Sequence, residues 1–232
     1  MHFRQRAISL TLLIACALPL YFAAVAMDQV PRPSDFDRDP VLWDFDTGPD
    51  GSLPADFVVG TLFDGRPAGD WKVLRTDQAK SQPQVLAQLM GKGAEHAYKV
   101  VLINGTSSRD LDLVVSFRAI EGKADMGGGL IWRAGDDRNY YLTRANPLEQ
   151  NVRIYRVVKG VRHLLQNFDQ TITMGKWHTL HVQAQGCRML VFYDERAVFD
   201  LCDETFREGK IGLWTKSDAI TYFDDLKFQV LK

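Results

Sequence analysis

Residues 126–158 read MGGGLIWRAGDDRNYYLTRANPLEQNVRIYRVV. Three runs in this stretch, Gly129–Arg133, Asn139–Ala145 and Val152–Val158, alternate as β-strands do, and AGDDR and NPLEQ join them as turns. Within strands that should be half apolar stand Arg133, Arg144, Arg153 and Arg156, beside Tyr140, Tyr141 and Tyr155. A buried sheet face does not accept that many guanidinium groups without partners. Arginines and tyrosines side by side on a concave sheet suit a polyol or an anion.

Pairing the first two runs across AGDDRN sets Arg133 opposite Tyr140, Ile131 opposite Leu142 and Gly129 opposite Arg144. One face then carries Arg133, Tyr140, Leu142 and Arg144, and the other, expected to be the core face, carries Leu130, Trp132, Tyr141 and Thr143. Arg153 and Tyr155 extend the polar face from the third run, and the NPLEQN loop places Asn146, Glu149 and Asn151 at its rim. Tyrosine stacks on sugar C–H surfaces, while planar guanidinium groups donate to hydroxyls, ketones and carboxylates. Glu149 is the best-placed carboxylate for acid–base work; the competing readings are an exposed loop glutamate, and arginines that merely pair with Asp136, Asp137 or Glu149 on a solvated face.

Outward from this centre, short strand-like runs follow one another from Val41 to the end, separated by GPDGS, GRPAGD, NGTSSRD and KSD. No helical periodicity is sustained among them, although FREG (206–209) is short enough for a single helical turn. Many short strands without alternating helices predict an all-β jelly-roll sandwich of two antiparallel sheets, forming one domain over 41–232. Basic residues number 28 against 29 acidic ones, for a net charge of −1, so no basic field exists to hold nucleic acid.

Residues 1–26 carry Arg4 and Arg6 ahead of an apolar run that ends in Ala24-Val25-Ala26, a signal-peptide pattern with cleavage after Ala26. Two alternatives stand beside it: a lipoprotein box at Leu13–Cys16, and an uncleaved N-terminal anchor. Either way the folded part is exported, periplasmic or extracellular; with the signal peptide cleaved the mature chain has no membrane span, and residues 27–40, rich in proline and charge, read as a linker. The mature chain keeps Cys187 and Cys202. If Asp194-Glu195 make the turn between them, the two thiols face one another across a hairpin and a disulfide can form; a turn shifted by one residue offsets them diagonally.

Trp214, Lys216 and Asp218 lie near a strand end, Trp214 toward the core and the other two either at a ligand rim or in a turn. Asp44 and Asp46 in the first strand and Asp224 and Asp225 in the last would gather at one edge if those strands are neighbours, and an oxygen-only cluster suits a structural calcium. No other cofactor is expected: His178 and His181 lack a third zinc ligand, and neither a phosphate loop nor a G-x-S-x-G run occurs.

The order FDTGPDGSLPADF (45–57), DWKV (70–73), QVLAQ (84–88), GGGLIWRAGDDRNYYLTRANPLEQNV (127–152), GKWHTLHVQAQG (175–186), VFYDERAVFD (191–200) and GKIGLWTKSDAITYFDDLKF (209–228) resembles the concanavalin A-like lectin/glucanase superfamily. Within it the chain is most similar to exported bacterial domains related to the 3-keto-disaccharide hydrolase family and to laminin G-like modules. The E-x-D-x-x-E strand of the retaining glucanases is absent, and Thr61–Gly65 only partly echoes the LFDG opening of the keto-disaccharide family. The resemblance implies three functions: saccharide or envelope-glycan binding on the concave face, cleavage of 3-keto-glycosides with Glu149 or His178 as base, or a non-catalytic adhesion module.

Overall fold

The computed structural model describes residues 39–232 and is built of fifteen strands: β1 Val41–Trp43, β2 Phe57–Val59, β3 Trp71–Arg75, β4 Gln84–Gln88, β5 Tyr98–Ser108, β6 Leu111–Glu121, β7 Gly128–Asp136, β8 Asn139–Asn146, β9 Asn151–Val158, β10 Val161–Asp169, β11 Trp177–Gln185, β12 Arg188–Tyr193, β13 Arg196–Cys202, β14 Gly209–Lys216 and β15 Ile220–Val230. They form two antiparallel sheets, one ordered β13-β12-β11-β6-β15-β4-β3 with β1 added on β15, the other β10-β9-β8-β7-β14-β5-β2. This is the jelly-roll sandwich that the strand pattern predicts. The expected signal peptide, Cys16 and the expected linker up to residue 38 lie outside the described residues. Among the described residues no helix is long and apolar enough to cross a membrane, and FREG makes no helical turn.

Alternation along each strand directs one set of side chains between the sheets. Leu113, Val115 and Phe117 of β6, Leu180 and Val182 of β11 and Phe223 of β15 meet Leu130 and Trp132 of β7, Tyr141 of β8 and Leu213 of β14 in one core. The expected core face of the β7–β8 hairpin is therefore the observed one. The glycine run that opens β7 serves this contact: a Cβ on Gly128 would stand 2.8 Å from the Phe117 ring of the opposite sheet.

The other face of the second sheet is not solvated throughout. Val100, Leu102, Ile131, Ala134, Tyr140, Leu142, Tyr155, Val157 and Trp214 form a second apolar cluster there. Segment 60–68 comes down on the turns at this end, with Thr61 N donating to Asp137 Oδ2 at 2.6 Å, Phe63 against Gly160, and Arg138 4.8 Å above the Phe63 ring. Farther along, Arg162 of the edge strand β10 lies over the rings of Tyr98, Tyr155 and Trp214 at 5.0, 4.9 and 5.6 Å, and its Nε donates to the Tyr98 hydroxyl at 3.0 Å. Five strand spacings separate β10 from β5, about 24 Å on a flat sheet, too far for an arginine and a tyrosine to meet. The sheet is curled, and this is its concave side.

Two expectations of register need correction. The hairpin pairs Ile131 with Leu142 and Gly129 with Arg144, as expected, but a bulge sits between Trp132 and Asp136, so Arg133 does not face Tyr140. The chain there turns through positive φ (Arg133, +48°), and the arginine leaves the concave face. In the β12–β13 hairpin a bulge beyond Phe192 pairs Cys202 with Arg188 rather than with Cys187. The disulfide forms on the diagonal, with Cα atoms 4.8 Å apart.

That bond closes a loop across a sequence separation of 15 residues at the edge of the first sheet. Replacing both cysteines by alanine is expected to cost about 3 kcal/mol of unfolding free energy, read as a lower urea midpoint.

Candidate functional site

The polar end of the concave face is made by the last residues of β8, the first of β9 and the turn between them. Asn146 pairs with Asn151 and Arg144 with Arg153. Asn146 Oδ1 accepts from Leu148 N at 2.8 Å and Glu149 N at 3.3 Å, an Asx-type turn that folds the loop back over the sheet. Glu149 is thereby aimed at the arginines: its Oε2 lies 2.8 Å from Arg144 Nη2 and 2.7 Å from Arg153 Nη1. Arg144, with a side chain only 1% exposed, also donates from Nη1 to Asn151 Oδ1 at 2.6 Å and from Nη2 to the Tyr155 hydroxyl at 3.4 Å. Asn151 Nδ2 donates to Glu149 O at 3.1 Å, and Arg153 Nε to Asn167 Oδ1 at 2.8 Å. Glu149 and Arg153 keep 37% and 31% of their side chains exposed and form the mouth.

Asp125 forms the floor and is 1% exposed. Its Oδ1 accepts from Gly127 N at 2.9 Å and Asn146 Nδ2 at 3.3 Å, and its Oδ2 lies 3.7 Å from Lys216 Nζ. Gly127 leaves the space for this: its Cβ would stand 3.2 Å from Asp125 Oδ1 and 3.7 Å from Arg144 Cδ. Asp218 accepts the backbone N–H groups of Lys123, Ala124 and Asp125 at 2.8–3.1 Å and so fixes the loop that presents Asp125.

The two carboxylates beside Arg144 are shifted in opposite directions. Burial pushes Asp125 up, against the Gly127 N–H and the charges of Arg144 and Lys216. Burial also acts to raise Glu149, but Arg144 and Arg153 outweigh it and hold Glu149 below the usual carboxylate range. At neutral pH Glu149 is an ionised hydrogen-bond acceptor between two guanidinium groups. That suits gripping hydroxyls more than delivering protons.

Arg144, Asn146, Glu149, Asn151, Arg153 and Tyr155 thus converge, and Lys216 joins them through Asp125. Asp218 acts one layer behind. The rest of the expected set lies elsewhere. Arg133 is at the far end of the hairpin, donating to the carbonyls of Arg109, Phe206 and Gly186. Tyr140 is fully buried in the second cluster and burial pushes its hydroxyl up, so it offers no stacking surface. Tyr155 is 5% exposed beneath Arg162. His178 is on β11 of the other sheet, its Nδ1 2.8 Å from Asp194 Oδ2 and from the Tyr193 hydroxyl and its Nε2 3.0 Å from Thr173 O, away from Glu149.

The first and last strands are neighbours, as the calcium expectation requires, yet their carboxylates do not gather. Asp224 accepts from Lys80 N, Ser81 N, Ser81 Oγ and Asp225 N; Asp46 accepts from Gln84 N, Asp44 from Asp46 N, and Asp225 pairs with Lys80. Among the described residues no three acidic, histidine or cysteine side chains converge as a metal site. Asp125 and Arg162 are the residues that sequence reasoning misses. An aspartate two positions before a glycine, with a backbone N–H free to bond it, is the local signal for the first.

No protein-family model matches the chain. Over 128 residues it is 25% identical to a levanase of Bacillus subtilis (strain 168), a match covering 54% of this chain and 18% of the levanase, so the chain spans about a fifth of that relative. Among solved structures it is similar to the carbohydrate-binding module CBM66 from Bacillus subtilis, with a TM-score of 0.60 and 20% identity over 78% of this chain and 99% of that one. It is also similar to a xylan β-1,4-xylosidase from Bacillus halodurans C-125, with a TM-score of 0.57 and 15% identity over 87% and 41% of the two chains. At these identities the likeness is one of fold, an antiparallel jelly-roll sandwich.

A carboxylate whose folded pKa is depressed adds stability above its unfolded value of 4.5 and loses it as pH falls through the folded value. The wild-type protein should therefore lose more unfolding free energy between pH 5 and pH 3 than Glu149→Gln does. The difference should be on the order of 1 kcal/mol, because the half-open mouth screens the pair; urea titrations at a series of pH values measure it.

Proposed function

We propose that this chain is an exported carbohydrate-binding domain that holds a saccharide or envelope glycan at the polar end of its curled sheet. The observation that carries this reading is Arg144: a buried guanidinium on the concave face, ringed by Glu149, Asn151 and Tyr155, with Asp125 beneath and Arg153 at the mouth. Sugar hydroxyls both donate and accept, and such a mouth offers an ionised acceptor next to guanidinium donors, all held in place before a ligand arrives. The sandwich shared with a carbohydrate-binding module, and the stretch similar to a levanase, support the same reading. The N-terminal A-x-A pattern and the Cys187–Cys202 disulfide support export to a periplasmic or extracellular, oxidising compartment.

Binding stands ahead of catalysis here because Arg144 and Arg153 hold Glu149 below the usual carboxylate range, which makes it a weaker base, and His178 belongs to the other sheet. A keto-glycoside-cleaving reaction needs a base and an enolate stabiliser converging on one carbon; Glu149 and its two arginines are instead engaged with one another, at 2.7–2.8 Å.

The test is a binding panel of levan, xylan and short oligosaccharides derived from them, read by isothermal titration calorimetry and affinity electrophoresis. Glu149→Gln and Arg153→Ala should each weaken binding by roughly tenfold or more, the worth of a charged hydrogen bond of about 1.5–3 kcal/mol, with circular dichroism unchanged. Unaltered affinity in both variants would place the ligand elsewhere. Failure of the wild type to bind any glycan at millimolar concentration would leave the adhesion-module reading in its place.

A further inference from the structure

At the other end of the β7–β8 hairpin from Arg144, a pocket of about 220 Å³ is lined by Arg109, Arg133, Gly186, Cys187, Glu204 and Arg207. We propose that it binds a small oxyanion, either a free sulfate or phosphate or the charged group of an acidic sugar. Three guanidinium groups line it and a single carboxylate does. Arg133 is 1% exposed and is held through positive φ by the β7 bulge. Of its five N–H groups three go to backbone carbonyls, of Arg109 at 2.8 Å, Phe206 at 3.3 Å and Gly186 at 2.7 Å. The nearest carboxylate oxygen, Asp110 Oδ1, is 3.5 Å away and already accepts from Gly186 N at 2.8 Å. A buried guanidinium bonded mainly to neutral carbonyls, with one carboxylate at 3.5 Å that is shared with a backbone N–H, is only partly compensated.

The other two arginines add further positive charge to the pocket. Among the described residues the Arg109 side chain has no hydrogen bond or ion pair, and it adds its own repulsion to the burial that lowers the Arg133 pKa. Among the described residues Arg207 meets only Glu204, at 3.9 Å, with both side chains about 70% exposed. That contact is too long for a hydrogen bond and too wet to hold either side chain. A concave space with this charge balance concentrates anions. Its volume is below the roughly 300–1,000 Å³ of drug-sized ligand sites, which fits a single charged group rather than a length of polymer. The disulfide contributes too: Cys187 is in the pocket wall, and its bond to Cys202 anchors the start of the segment that carries Glu204 and Arg207.

Thermal unfolding in sodium chloride, with the salt replaced stepwise at constant ionic strength by sodium sulfate, phosphate or glucuronate, tests the site. The wild type should show a saturable rise in Tm of roughly 2 °C or more with at least one of these. Arg109→Ala/Arg207→Ala should match the wild type in chloride and lose the saturable rise, while Glu149→Gln keeps it, so the result is independent of the sugar-binding reading. Arg133 is left in place because its carbonyl bonds hold three loops. A response to glucuronate assigns the site to acidic sugars, and one confined to sulfate or phosphate assigns it to the free ion. No saturable rise with any of the three, or equal rises in the wild type and the double variant as general salting-out produces, overturns the proposal.

Discussion

A full positive charge stands on Arg144 at a position that is almost entirely withdrawn from water, and the surrounding loop is organised to compensate it. An isolated buried ion costs several kcal/mol. Here the cost is offset by an ionised glutamate, an asparagine carbonyl and a tyrosine hydroxyl within hydrogen-bond reach. Compensating that charge accounts for the folded-back Asx turn, the inward aim of Glu149, and the coupling of Asp125 to Lys216 and Asp218, while Arg144 Nε has no hydrogen-bond partner among the described residues. Arg133 faces the same problem 11 residues earlier and meets it with backbone carbonyls. One arginine thus comes to lie within a hydrogen-bonding network at the mouth of the sheet, and the other in a pocket with surplus charge.

The concave side of the second sheet is divided along its length. Toward the β7–β8 turn it is apolar and covered by segment 60–68; toward the β8–β9 turn it is polar and open at Glu149 and Arg153. Arg162 marks the division, its guanidinium over three aromatic rings and its Nε on the Tyr98 hydroxyl. Cation–π contacts of this kind are individually worth about 0.5–1 kcal/mol when partly exposed. Three of them on one side chain fix the curl that brings the sheet edge across its own centre.

Much of this was legible in the sequence because it is local. Strand alternation identified the fifteen-strand, helix-free architecture and the core face of Leu130, Trp132 and Tyr141. Cysteine placement identified the disulfide, and the loop NPLEQN the rim of the site. What was not legible depends on contacts between distant segments. A bulge of β7 removed Arg133 from the face to which strict pairing assigned it. Tyr140 reads as polar and is buried because residues 60–68 cover the far end of its sheet. Asp125 lies in a stretch without strand pattern and gains its role only when β8 and β14 deliver Asn146 and Lys216. The four aspartates do come near neighbouring strands, but backbone N–H groups, the Ser81 hydroxyl and the Lys80 ammonium, which no linear pattern displays, take up their oxygens first.

The second apolar cluster gives part of the sandwich an inside on both faces. Over Ile131, Leu142 and Trp214 the middle strands β7, β8 and β14 have packed side chains above and below, whereas β10 is an edge strand with Val161 and Leu164 about half exposed. Local opening is easiest where few apolar contacts must break. Amide hydrogens of β7, β8 and β14 should therefore exchange with solvent only through global unfolding, and those of β10 through fraying. The strands that carry Arg144 and Asp125's partners thus belong to the slowest-exchanging unit of the molecule, so the polar mouth is rooted in a rigid platform even though its outermost residues lie on a turn.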